Sequence, residues 1–356
     1  MDGKTTTVSI DGTRFCLDGR PTHAGRRYAG RSIEGLLFCV RAAQATFDDE
    51  NWPATGIYDL GVGPRSFAYP DTGTWDPDRN VEEFCAALPS WKAHGISAVS
   101  LAFQGGRPIK NVWKTRCDAQ PWVNSGFAPD GALKPAYARR MAKCIAALDA
   151  LGMVVSTSFF YFGQTPRFED ESAVRRAIRE GTEFLAGLGH RNVMIEIAQE
   201  VAPDWQSYHY LQFRSLSLEN IHHHIAFAQE VCERRIPVSS SLHAPQDPTG
   251  DMVRTADFLL PHGNNLGPLG HVEKVRRIRA MPEYQARPTP IFFNEASADL
   301  VDFQAALSEG VSWSYYDHGS NDYADGFQSP PVNWTINTFE KQAFFERVRD
   351  VTGAGP

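Results

Sequence analysis

The sequence predicts a (β/α)8 TIM barrel opened by a short β-hairpin, and three observations carry that expectation. Eight brief apolar runs alternate with amphipathic helical stretches from residue 35 onward, the pattern of a parallel sheet with crossover helices. At 356 residues the chain has a length that α/β barrels reach as one unit. No Gly-rich loop of the GxGxxG or GxxxxGK type follows the first run, which weakens the alternative, an open doubly wound sheet. The expected organisation is one barrel domain over 1–356, with 1–30 as hairpin and lead-in.

Each element has its own signal. Residues 8–20 alternate apolar and polar side chains around Asp11-Gly12 and Asp18-Gly19, which reads as a hairpin. The strand runs are 35–40, 97–103, 153–159, 192–197, 236–240, 258–261, 289–293 and 311–316. Helical stripes fill 80–93, 136–151, 171–188, 218–235, 272–280, 300–308 and 338–351; the first carries Val81, Phe84, Leu88 and Trp91 on one face. The connection between Ser240 and Phe258 is short and Pro-rich, so a weak or missing helix is expected there. The longest irregular stretches, 47–78 and 105–135, follow the first two strands and would rise on the C-terminal face, where barrel active sites sit.

Composition bounds the function. Hydrophobic residues make up 42% and charged residues 22%, enough apolar surface to exclude a wholly disordered chain. With 35 Lys+Arg against 42 Asp+Glu the net charge is −7, which argues against nonspecific nucleic-acid binding. No apolar run reaches membrane-spanning length, and the opening MDGKTTTVSIDGTRF holds no apolar leader core. The six cysteines are dispersed without a CxxC pair, so reduced thiols in a cytoplasmic protein are expected.

Chemistry is sought at strand ends. The fourth run closes Ile195-Glu196-Ile197-Ala198-Gln199-Glu200, and the seventh closes Phe293-Asn294-Glu295. A lone Glu at such a place also serves as a strand terminator or helix cap. Two carboxylates across a barrel mouth are what glycosidic cleavage needs, one protonated and one ionised. Gln104 ends strand two in Phe103-Gln104-Gly105-Gly106 and offers both a donor and an acceptor to a ligand. Tyr161, Trp205, His243, Tyr316 and Asp317 stand at or just beyond other strand ends as candidate lining.

The sequence resembles the clan of retaining β-glycosidases with (β/α)8 barrels, which includes cellulase-like and β-galactosidase-like enzymes. The likeness rests on Glu200 and Glu295 at strands four and seven. It rests also on FCLDGRP at 15–21, DALGMVVSTSFFY at 149–161 and VSWSYY at 311–316. It implies Glu200 as acid/base, Glu295 as nucleophile, Arg41 hydrogen-bonded to the nucleophile, His262 facing it, and Trp313 flooring the sugar subsite. The clan's Asn before the acid/base is Gln199 here, whose longer arm displaces the amide that usually holds the sugar 2-hydroxyl.

No cofactor and no catalytic metal are expected. His222-His223-His224 lies within a helical stretch whose consecutive side chains diverge, and HExxH is absent. Strand one carries Cys39-Val40-Arg41 in place of a metal-binding HxH. The function expected is a retaining glycoside hydrolase acting on a carbohydrate or glycoside, with no nucleic-acid or membrane partner. The alternatives are a barrel that binds carbohydrate without hydrolysis, or one redirected to glycosyl transfer or rearrangement.

Overall fold

The computed structural model describes residues 5–50, 58–59, 64–65, 67–105, 122–203, 212–319 and 323–355. Val8–Asp11 and Arg14–Leu17 pair antiparallel, and Arg20–Pro21 adds to the second of them. Leu17 opposes Arg20, which leaves Asp18-Gly19 as a two-residue loop. Both loop residues have positive φ, 51° and 76°, the primed turn whose twist matches its strands. Val8 and Phe15 of this hairpin pack under Leu37, Val154, Met194 and Phe292, forming the floor of the barrel.

The barrel strands are β1 (Phe38–Arg41), β2 (Ala98–Ala102), β3 (Val154–Phe160) and β4 (Val193–Ala198). They continue as β5 in two pieces (Val238–Ser239 and Ser241–Leu242), β6 (Leu260–Pro261), β7 (Phe292–Ser297) and β8 (Ser312–Tyr315). Each pairs parallel with the next, β6 meeting β7 through the Leu259–Ile291 bridge. The ring closes where Trp313 of β8 sits opposite Phe38 of β1. All eight expected strands are present, the fifth and sixth short; the seventh runs on to Ser297.

Helices alternate with them: α1 (Pro77–Ala93), α2 (Pro135–Ala150), α3 (Glu171–Gly187) and α4 (Ile221–Val231). Then come α5 (Gly250–Thr255), α6 (Gly267–Ala280), α7 (Leu300–Ser308) and α8 (Phe339–Thr352), with a short helix Pro282–Ala286 after α6. The expected weak fifth helix is α5, six residues long. Helix starts follow side-chain chemistry: the Asp76, Asp170, Asp299 and Thr338 side chains each accept from first-turn backbone N–H groups. The α4 stripe stops short of Arg235 because Glu233 and Arg234 turn left-handed, with φ of 52° and 56°.

Strand alternation splits the side chains into two layers. Outward residues such as Val99, Leu101, Val155 and Ile195 join the helices in the main core. Inward residues are apolar at the floor and polar higher up. Phe47, Phe67, Tyr69, Trp75 and Trp122 form a separate aromatic cluster drawn from the two long loops after β1 and β2. Residues 51–57, 60–63, 66 and 106–121 of those loops, Gly106 among them, and Trp205 after β4 lie outside the described residues. Among the described residues, no helix is long and apolar enough to cross a membrane.

Candidate active site

Strands β1, β4, β6 and β7 deliver their terminal polar groups to one place. Glu295 of β7 is bonded at both carboxylate oxygens. Arg41 Nε of β1 stands 2.7 Å from Oε2, and Asn264 Nδ2 donates to Oε1 at 2.7 Å. Both partners of the Arg41–Glu295 ion pair are buried, with 3% and 10% of their side chains exposed. Burial opposes the Arg41 charge, but the fields of Glu295, Glu196, Tyr316 and Glu200 outweigh it and raise its pKa.

Glu200 follows β4 with φ of +58°, a left-handed backbone uncommon for a residue with a side chain. Its N–H is held by Ser241 Oγ at 3.0 Å, tying the turn to β5. Backbone strain held by a neighbouring strand concentrates at functional sites. His262, fully buried after β6, bridges the two acids. Its Nδ1 lies 3.2 Å from Glu200 Oε1 and 3.8 Å from Glu295 Oε1. Ligand-type atoms of Glu200, His262 and Glu295 all fall within 4.8 Å of one another. The hollow between them, lined also by Ala43, Tyr161, Phe162, Tyr316 and Gln328, holds about 50 Å³. That is room for a reacting oxygen and a water rather than a whole sugar ring.

These three residues are the one His/Cys/Asp/Glu group among the described residues close enough to converge on an ion. Arg41 and Asn264 aim donors at the very Glu295 oxygens a cation would require, so both are already engaged by protein groups. The triple histidine does not converge. His222 and His223 rings lie 3.9 Å apart on α4, while His224 is buried and pulled down to about 4 by burial, Arg175 and His223.

The structure thus brings together Arg41, Gln199, Glu200, His262, Glu295 and Tyr161. Gln199 accepts from Arg41 Nη2 at 2.6 Å, and its own amide nitrogen reaches toward the Gln104 carbonyl at 3.4 Å. The extra methylene carries the amide to the guanidinium.

Two expectations are corrected. Trp313 does not floor the site: it is fully buried in the helix layer against His271, Phe293 and Phe303, because its pleat points outward. Gln104 does not face a ligand. Its amide nitrogen donates to Ser125 Oγ at 3.0 Å and its oxygen accepts from Tyr161 N at 3.1 Å, so it ties a loop to the barrel rim. Gly105 likewise approaches Asn124 and Gln44, not open space.

Asn264, Ser241 and Gln328 are site residues that the sequence reading passed over. Gln328 Nε2 donates to the Arg41 carbonyl from a segment beyond β8. The signal for Asn264 was available: it stands two residues after His262, at the same strand end.

No protein-family model and no curated protein sequence matches the chain. Solved structures do. An endo-1,4-β-mannanase from Rhizomucor miehei superposes with TM-score 0.57 at 10% identity, covering 98% of this chain and 99% of that one. A β-mannanase from the blue mussel Mytilus edulis gives 0.53 at 11% identity, with 99% and 98% covered. A broad-specificity endoglucanase from Clostridium longisporum gives 0.53 at 10%, with 92% and 100% covered. At such identities the likeness is one of fold alone: the chain shares its (β/α)8 barrel architecture with these structures.

Proposed function

We propose that this protein is a retaining β-glycosidase working by double displacement, with residues 1–356 as one catalytic unit. The observation that carries the reading is the approach of Glu200 and Glu295 carboxylate oxygens to within 4.8 Å. Retaining enzymes hold their two carboxyl groups about 5–5.5 Å apart, whereas inverting enzymes need roughly 6.5–9.5 Å to admit a water. Roles follow from contacts. Glu295 is held at both carboxylate oxygens, by the Arg41 guanidinium and the Asn264 amide, which fixes it in place to attack the anomeric carbon.

Glu200 gives its proton to the departing glycosidic oxygen as the Glu295 ester forms. It then takes a proton from water, whose oxygen displaces Glu295 and releases the sugar with its configuration kept. β-Mannosides and β-glucosides are the first substrates to try, given what the fold neighbours are named for. Five free cysteines among the described residues fit a reducing, cytoplasmic setting. Purified Glu295→Gln and Glu200→Gln proteins assayed on aryl β-glycosides should lose turnover by orders of magnitude, and azide should restore Glu200→Ala. Unchanged turnover in both variants would end the assignment.

A second reading, binding or transfer without hydrolysis, draws on Gln199, whose amide engages Arg41. Calorimetric binding of a glycoside with no product by mass spectrometry would favour binding alone. A new glycoside formed with an added alcohol would favour transfer.

A further inference from the structure

Beneath the two acids the barrel axis is polar, where barrel interiors are ordinarily filled with branched apolar side chains. Met194 belongs to the floor, and alternation along β4 turns Glu196 onto the same inner face one step higher. Ser158 of β3 lies beside Glu196 in register. Ser156 and Asn294 stand two residues beyond the floor residues Val154 and Phe292, and Ser314 pairs with Cys39. Glu196 is wholly shielded from solvent. Both its carboxyl oxygens, both Asn294 amide atoms and the hydroxyls of Ser156, Ser158 and Ser314 are buried without a protein hydrogen-bond partner.

Seven polar atoms left unpaired around one axis would forfeit a large share of a domain's stability. Buried water, at about three hydrogen bonds per molecule, answers that demand with roughly two or three molecules. Arg41 lies on the same inner face, two residues after Cys39 on β1. Its charge is supported by the field of Glu196 as well as by Glu295, yet among the described residues it is Glu295 with which it forms an ion pair. Glu196 therefore acts on the guanidinium across a gap.

We propose that Glu196 is a positioning residue for the nucleophile: water bound in the barrel axis links its carboxylate to Arg41 and holds the guanidinium against Glu295. The nucleophile in that statement rests on the function proposed above; the water-linked pair does not.

The titratable and charged groups around Glu196 are Cys39 and Arg41 on β1, Glu200 after its own strand, His262 after β6, Glu295 on β7 and Tyr316 after β8. Strands β2, β3 and β5 present serines here, among them Ser100, Ser156, Ser158 and Ser239. Burial pushes the Cys39 thiol up to about 11, so it stays neutral across the working range. Glu196→Gln removes a carboxyl group from the axis under the pocket, so the kcat/KM pH profile of that variant should be displaced from wild type in both limbs.

The test uses the full chain, wild type and Glu196→Gln, Glu196→Asp and Ser158→Ala, in two arms. Crystals diffracting well enough to place water should show two or three ordered molecules joining Glu196, Ser158 and Arg41. A dry axis with Glu196 bonded directly to protein overturns the proposal, as does a density peak with five or six oxygens at cation distances. Kinetics on an aryl β-glycoside should show both limbs displaced in Glu196→Gln, with KM little changed, and returned toward wild type in Glu196→Asp. Unmoved limbs in an active Glu196→Gln, with losses that only follow thermal stability, mean a structural role and sink the idea. If Glu196→Gln does not fold, wild-type kcat in Ser158→Ala does the same. An inert wild type sinks the glycosidase reading instead, and the electron density still decides the link between Glu196 and Arg41.

Discussion

Asn264→Ala removes the donor on Glu295 Oε1 while leaving Arg41 on Oε2, both now at 2.7 Å. In double displacement the carboxylate loses its charge on attack and regains it when water releases the sugar. A donor on that oxygen favours the charged form, so it assists release more than attack. A hydrogen bond to a charged group contributes about 1.5–3 kcal/mol, which at 1.36 kcal/mol per decade is about 10–150-fold. We expect the second step to slow by that factor. Stopped-flow kinetics with a dinitrophenyl β-glycoside, whose leaving group makes the first step fast, should reveal a stoichiometric burst followed by the slowed turnover. A variant with kcat within threefold of wild type and no burst would refute the reasoning, as would a burst phase slowed as much as the steady state.

Gly263→Ala puts a Cβ 2.3 Å from the buried His271 Nε2 and 3.2 Å from Ala296 Cβ, so the segment carrying His262 and Asn264 must shift. We expect at least a tenfold loss of kcat/KM, of the kind a 1 Å misplacement brings, with unchanged far-UV circular dichroism. Trp313→Phe should lower urea stability by about 1–2 kcal/mol through lost packing and leave KM within twofold, whereas a tenfold rise in KM would place the indole back at the sugar. Burial, with Lys92 and Arg26, holds His23 at about 4, and His224 is likewise held at about 4. Both are depressed from 6.5, so the unfolded chain takes up protons that the fold refuses; stability is complete above pH 6.5 and falls as pH drops toward 4. Each contributes a loss of about 2 kcal/mol at pH 5. His224→Leu, which also removes two unpartnered ring nitrogens, should erase its share in urea titrations at pH 5 and 7.5, and an unaltered pH dependence would contradict this.

Much of the architecture was legible because periodicity of two and of 3.6 residues is written locally. Helices α1, α3 and α7 begin within a few residues of where their stripes and caps place them. The hairpin was legible for the same reason, since Asp18-Gly19 encodes its turn chemistry in two adjacent residues. The short β5 and β6 and the reach of β7 to Ser297 were not, because ladder length is set by which neighbour a strand meets. At the site, Glu200 and Glu295 were expected from their places just past apolar runs and Arg41 and His262 from the resemblance, and the barrel brings the four together. Asn264 was missed because its partner is 31 residues away in the chain and met only through the barrel.

Trp313 shows what position alone omits and what parity would have supplied. Being near the end of a strand puts a side chain near the mouth, but the pleat decides between axis and helix layer. The β8 segment reads Ser312-Trp313-Ser314-Tyr315-Tyr316, and Ser314 pairs with the inward Cys39 of β1 while Trp313 pairs with the outward Phe38. Small polar residues at every second place mark the inner face of this barrel, as Ser156 and Ser158 do on β3. Counted from those serines, the residue of β8 that turns to the pocket is Tyr316, and it does line it. Glu196 obeys the same count: it stands two places after Met194 on β4, on the inner face that Arg41 shares. An ionisable group at that depth is costly to keep unless something polar meets it. Inner-face parity therefore separates the aromatic residue that fills the core from the carboxylate that requires an explanation, and it does so before any side-chain contact is measured.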